Sequence, residues 1–432
     1  MRIDIVNADV VTGDGTSYLE KTSVIIRNGL ISELPRVQYI PYNAYADRVI
    51  DAKGGLVIPG LINIHSHGVS FGPFLPSAWK ELSKERILFN LDTHLLQGTT
   101  TLLSEDGFAL PSDVEAIDQI HPINVKGSTL HTPKNFRAAE ITGGDGLDER
   151  HRKLTAEEAV ASGAVVLGEV GSPGAVYGTM EKSRRVGKTV STEQARALDD
   201  AVLKGSEAEI RRALVEAGLE KLTTEEAREL VRETTVTKIE ACRDAIREAV
   251  SYVRKLKVPA LVHTSRETVD EVLDAAKELG PNLIVGHANY TFTPEEAIEA
   301  AEKLRRAGAV IEIFSGDSFG ARQIQTTPEV TFALLREGLV DIITTDYAGG
   351  YHDPILLVLQ KAIEQGLIAL LQAVHLATGA PARAVPRVAP NRGFIEPGKV
   401  ADLCIVEKED ISKVRHVLIS GRVVVEEGRL VY

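Results

Sequence analysis

The sequence predicts a (β/α)8 barrel held beside a small β-domain that the two chain ends build together. Three observations point to it. Between about residues 60 and 390, short apolar β-branched runs alternate with helical segments eight times. Both ends instead string β-branched runs between Gly, Asn and Asp, the wording of strands and turns. Five of the eight apolar runs end on a histidine or an acid, residue types that gather on a barrel rim and not in its core. A doubly wound open sheet is the alternative, but no G-x-G-x-x-G opens the first unit.

The elements follow in order. IDIVNADVV, SVIIRNGLISEL and RVIDAKGGLVI open the chain, and ADLCIVEKED with VRHVLISGRVVVEEGRLVY closes it, so a composite β-domain is expected over 1–58 and 392–432. The barrel is expected over 59–391, with strands at 61–65, 99–104, 124–130, 164–169, 259–263, 282–287, 309–314 and 341–346. Periodic helices lie between them, such as 239–256 with apolar residues at 239, 242, 246, 249, 250, 253 and 256. The interval between the fourth and fifth strands is oversized. Within it, 177–236 is charged and helical in pattern, with capping starts at Ser191 and Thr223. It reads as a helical insertion, serving as an active-site lid or as a solvated layer or subunit contact. The apolar stretch 355–377 is broken by Gln360, Lys361, Glu364 and Gln365, so a buried helix pair is expected there and not a membrane span.

Charge and cysteine content narrow the function. The 432 residues carry 61 acidic against 49 basic side chains, a net charge of -12, which argues against nucleic acid and anionic membranes as partners. Cys242 and Cys404 are too few for a disulfide framework or a Cys-based zinc module. The opening MRIDIVNADVVTGDGTSY carries acids where a signal peptide carries an apolar core. The expectation is a cytoplasmic homo-oligomer acting on a small molecule. Val186-Gly187-Lys188-Thr189 has the ending of a phosphate loop, but Lys182 stands where its first glycine belongs and no strand precedes it.

The chemistry-bearing residues sit at strand ends. In PGLINIHSHG, His65 and His67 are two apart on a strand and so project from one face, where two imidazoles can share a metal. Glu169 ends the fourth run (AVVLGEVG), His263 the fifth (PALVHTS), His287 the sixth (NLIVGHAN) and Asp346 the eighth (DIITTDY). Core packing does not call for four histidines and two carboxylates in one layer, since such groups are costly to bury unpaired. His and carboxylate donors without Cys suit zinc, and also iron, manganese or nickel.

This set resembles the amidohydrolase superfamily, metal-dependent hydrolases on a barrel with a flanking β-domain. PGLINIHSHG is similar to the family's first-strand motif, HLATGAPAR (375–383) to its last barrel helix, and IEPGKVADLCIVE to its return into the β-domain. The resemblance implies two divalent ions: one on His65, His67 and Asp346, a second on His263 and His287, with Glu169 bridging. Many relatives bridge with a carboxylated lysine; here no lysine ends the fourth strand, and GEVG, HTS, GHAN and TDYAGG look most like the enamidase-type branch. The implied reaction is hydrolysis of a C–N bond in a small, cyclic amide by metal-activated hydroxide, with Asp346 moving the proton. A heterocycle deaminase or an ester or lactone hydrolase is the alternative on the same barrel. For substrate contacts the sequence offers Arg266, Arg137, His131, Tyr290 and His352, all just beyond strand ends.

Overall fold

The computed structural model describes residues 1–36, 46–172, 179–316, 318–319, 328–348 and 352–432. Strands β1 (Arg2–Val11), β2 (Tyr18–Arg27), β3 (Leu30–Glu33), β4 (Arg48–Asp51) and β5 (Leu56–Pro59) come first. Then follow β6 (Leu61–His67), β7 (Thr99–Ser104), β8 (Asn124–Thr129), β9 (Val166–Val170), β10 (Ala260–His263), β11 (Leu283–Gly286), β12 (Val310–Phe314), β13 (Ile342–Thr344) and β14 (Tyr347–Ala348). The chain closes with β15 (Leu403–Val406), β16 (Val414–Ile419), β17 (Arg422–Glu426) and β18 (Arg429–Leu430).

The end strands form a mixed sheet in the order β18-β17-β16-β15-β5-β1-β2-β3, with β4 beside β1. Its two halves are stitched by the antiparallel pairing of β15 with β5, Ile405 opposite Val57. Ile5, Val10, Ile26, Leu403, Ile405 and Leu418 pack into one core between them.

Strands β6 to β13 are neighbours in chain order and make the parallel barrel. The eighth strand is split: β13 pairs with β12, the chain turns at Thr345–Asp346, and β14 pairs with β6 to close the ring. Parallel strands buried on both faces need near-continuous apolar runs. Here Ile62, Ile64, Leu103, Leu261, Ile284 and Ile342 belong to an inner cluster, while Leu102, Val262, Val285, Ile311 and Ile313 pack in the layer that takes in the helices. The pairing of β6 with β7 slips register between Asn63 and Ser66. Such an irregularity re-aims side chains, so His65 and His67 turn inward on the same strand whose Ile62 and Ile64 fill the barrel.

The long fourth crossover holds helices Thr179–Val186, Thr192–Lys204, Glu207–Glu216 and Thr224–Val231, three of them begun by capping boxes at Ser191, Ser206 and Thr223. They share a small core of their own, including Leu198, Ile210, Leu214 and Leu230. Buried Lys182, on the first of these helices, ties it to the second and to the helical turn Arg232–Val236 that leads into the long helix Thr237–Leu256: its Nζ lies 2.9 Å from Asp199 and 2.6 Å from Thr235 Oγ1. Tyr177 and Gly178, at the start of the expected insertion, lie outside the described residues. The apolar stretch near the C-terminal third is two helices, Ile355–Glu364 and Leu370–Leu376. Among the described residues, no helix is long and apolar enough to cross a membrane.

Candidate metal centre

Side chains from five strand ends meet at the carboxyl end of the barrel: His65 and His67 on β6, Glu169 on β9, His263 on β10, His287 just after β11, and Asp346 between β13 and β14. All are buried except Asp346, which is 19% accessible and so faces the mouth. His287 and Asp346 each have φ of +49°, a left-handed backbone that is uncommon away from glycine and clusters at functional sites. The Asp346 turn is pinned to β6: its N–H donates to the His65 carbonyl oxygen at 3.0 Å, and Asn63 Nδ2 donates to Thr345 Oγ1 at 2.7 Å.

Glu169 divides its two oxygens between two histidine pairs. Oε2 lies 3.7 Å from His65 Nε2 and 3.6 Å from His67 Nε2. Oε1 lies 2.6 Å from His263 Nδ1 and 3.0 Å from His287 Nε2. Asp346 Oδ1 is 3.5 Å from His65 Nε2 and 3.3 Å from His67 Nε2, and its Oδ2 is 3.6 Å from His287 Nε2. Donors around a tetrahedral zinc, with bonds of about 2.0–2.1 Å, stand about 3.4 Å apart. The donor set His65, His67, Asp346 and Glu169 Oε2 has that spacing. Two clusters, His65–His67–Asp346 and His65–Glu169–His287, each bring their ligand atoms within 4.8 Å of one another. The residues of these clusters therefore fit a divalent ion in both chemistry and distance; His263 belongs to neither cluster, its Nδ1 standing at hydrogen-bond distance, 2.6 Å, from Glu169 Oε1.

The electrostatics are those of acids and imidazoles compressed together. Burial alone raises Glu169, but His263 and His65 overcome it and hold the carboxyl well below its ordinary range. Burial lowers His67, yet the neighbouring carboxylates of Asp106 and Asp346 carry it to about 10. His287 goes the other way, to about 4, because burial, His263 and His65 outweigh the attraction of Asp346.

A second layer of acids, which the strand-end pattern does not single out, stands behind the ring. Asp106 Oδ1 is 3.4 Å from His67 Nδ1 and also accepts from Leu75 N at 2.9 Å; Asp106 Oδ2 accepts from Gly68 N at 3.0 Å and Ser104 Oγ at 2.9 Å. Glu312 Oε2 accepts from the His287 N–H at 2.6 Å and lies 3.7 Å from His65 Nδ1; its other oxygen accepts from Thr344 Oγ1. Glu105 is fully buried beside Gly168. The sequence does carry a signal for each: Glu105 and Asp106 end the second strand run in LLSED, and Glu312 interrupts the apolar VIEIF.

The substrate residues divide. Tyr290 stands in the centre, its ring 5.9 Å from those of His263, His287 and Phe314, and burial with Asp346 pushes its hydroxyl up to about 12. His131 points into an aromatic pocket of Phe108 and Phe136; its Nδ1 meets Thr129 Oγ1 at 3.0 Å, and burial lowers it to about 4. Three other candidates have partners away from the histidines. Arg266 is engaged by Glu296 at 3.3 Å and Asp200 at 3.9 Å, tying the loop after β10 to the insertion. Arg137 is exposed on helix Pro133–Thr142, where it acts on Asp244. His352 is packed behind the barrel wall against His94 and Tyr347, its Nε2 3.0 Å from Gln97 Oε1.

Comparison with known proteins agrees with this geometry. The amidohydrolase family model matches residues 56–424, so the chain belongs to that family and is a metal-dependent amidohydrolase. Its structure resembles β-aspartyl dipeptidase of Fervidobacterium islandicum AW-1 (TM-score 0.58, 15% identity, 100% of this chain and 98% of that one). It also resembles enamidase (0.53, 19%, 99% and 97%) and D-hydantoinase (0.52, 16%, 100% and 96%). At these identities the likeness is one of fold. In sequence, a 68-residue stretch is 40% identical to 5-methylthioadenosine/S-adenosylhomocysteine deaminase of Acetivibrio thermocellus, covering 16% of this chain and 16% of that enzyme.

Proposed function

We propose that the protein is a binuclear hydrolase that cleaves the C–N bond of a small, cyclic amide. The observation that carries this reading is Glu169, whose two oxygens each face a different histidine pair. His65, His67 and Asp346 would hold one divalent ion and His263 with His287 a second, with Glu169 shared between the two groups. Zinc suits these donors best, with iron, manganese or nickel also compatible. When bound, such ions supply a Lewis acid and lower the pKa of water toward neutrality.

The chain's own residues do the rest. Asp346, at the mouth and facing both histidine pairs, takes the proton of the attacking water and returns it to the leaving nitrogen. Tyr290, kept protonated by its raised pKa, can donate a hydrogen bond to the substrate carbonyl oxygen as it gains charge. The fold likeness to enamidase and D-hydantoinase, names that denote amide-type substrates, favours the cyclic amide. A second reading, deamination of a heterocycle, is favoured by the short local match to a deaminase.

A panel of cyclic amides, imides, N-acyl amino acids and aminopurines, offered to metal-reconstituted enzyme, separates the two. Ring opening without ammonia release is the expected result. Ammonia from an aminopurine would transfer the assignment to the deaminase, and a chain that takes up no metal would defeat both.

A further inference from the structure

Glu105 is the acid of this region that the proposed mechanism leaves without a task. It follows β7, is fully buried, and neither of its oxygens has a hydrogen-bond partner among the described residues. The Ser128 hydroxyl beside it donates instead to the Ser104 carbonyl oxygen at 3.0 Å. The charges that act on Glu105 are those of His65, His67 and Glu169. Its place is defined by Gly168: a Cβ there would stand 2.6 Å from Glu105 Oε2 and 3.0 Å from the Leu261 carbonyl oxygen. Glu105 thus reaches from the second barrel strand to the fourth and lies against the residue that precedes Glu169.

A buried carboxylate with no hydrogen bond or ion pair of its own among the described residues is disfavoured, and leucine or glutamine would suit an empty barrel better. Two divalent ions carry four positive charges, of which Glu169 and Asp346 offset two; bound cations are the largest charges in such a site and reverse the local electrostatics. We propose that Glu105 is a positioning residue of the metal centre, a carboxylate beneath the bridge that offsets the excess charge of the ions without ligating them. Its oxygens belong to neither donor cluster. This inference rests on the proposal that the centre binds divalent metal.

The test uses the full chain, stripped by chelator and titrated with Zn²⁺ against a chromophoric chelator, alongside the Tm of the metal-free protein. Glu105→Gln is expected to keep the metal-free Tm and to weaken Zn²⁺ binding by about 10–100-fold, the loss typical of outer-layer partners. Glu105→Asp, which keeps the charge, should recover most of that affinity. Should the Gln variant not fold, Glu105→Asp against Glu105→Asn makes the same comparison at shorter length. Wild-type chain that binds Zn²⁺ no better than its neutral variants overturns the inference and leaves Glu105 a space filler, while the metal reading stands. A wild-type chain that binds no Zn²⁺ overturns the metal reading first and this inference with it.

Discussion

The two histidine pairs of the proposed centre are supported unequally. Behind His65 and His67 stand carboxylates, Glu312 3.7 Å from one Nδ1 and Asp106 3.4 Å from the other. The far nitrogens, Nδ1 of His65 and His67 and Nε2 of His263, are all buried without a hydrogen-bond partner among the described residues, so the difference is one of nearby charge and not of hydrogen bonding. His287 is held at its backbone by Glu312, while its ring Nε2 meets Glu169 Oε1 at 3.0 Å. A carboxylate behind an imidazole fixes its orientation and raises its basicity. On the proposed reading, the first pair would draw on two nearby acids in holding an ion, whereas the second would depend on the Glu169 oxygen it shares.

That inequality can be broken most directly at the bridge. Glu169→Gln should lose the ion of the His263–His287 pair altogether and nearly all activity, while the other pair keeps some binding; metal content per chain checks it. Because glutamate is a bridge from synthesis, stripped wild-type enzyme should recover with divalent metal alone, indifferent to added bicarbonate. Asp346→Asn should retain metal and fold but lose about 10²–10⁴ in kcat, the usual worth of general acid–base help; near wild-type turnover would remove Asp346 from proton transfer. Asp106→Asn should weaken only the His65–His67 ion, by about 10–100-fold, and an equal loss at both pairs would erase the distinction.

Proton release sharpens the same contrast. Against the effect of burial, Asp106 and Asp346 hold His67 at about 10 in the cation-free protein, so it is protonated at neutral pH. Ion uptake there must displace a proton and weaken as pH falls. His287, proton-free above about 4, has none to give. Calorimetric titration in buffers of different ionisation enthalpy should show release when the ion at His67 is taken up. The smallest effect is expected from Arg266→Gln, which loosens the loop after β10 from the insertion; an exposed ion pair of this kind is worth less than about 1 kcal/mol. It should leave the first ion untouched, and a large change in KM would restore Arg266 to the pocket.

Much of this architecture is legible in the sequence alone. The eight barrel runs lie within about two residues of the strands, because a parallel strand buried on both faces announces itself as a continuous apolar stretch. The convergent histidines and acids are legible for the same reason: each breaks such a stretch at its end. The second acid layer is harder, since an acid behind a histidine carries no spacing of its own. Arg266 shows what strand-end spacing leaves out. Its neighbourhood looks like a rim, but Asp200 and Glu296, which claim its guanidinium, come from distant helices that only the tertiary fold brings close.

The split eighth strand has a mechanical consequence. Asp346 occupies the gap between β13 and β14, at the seam where the last strand of the ring is joined to the first. An ion shared by Asp346 with His65 and His67 would brace that seam, adding to the backbone pairing of β14 with β6 that already closes it. Amide hydrogens of Tyr347 and Ala348 would then exchange slowly in loaded enzyme and quickly in stripped enzyme. Catalytic competence would thus fade at the first loosening of this joint, well before the helices around it begin to melt.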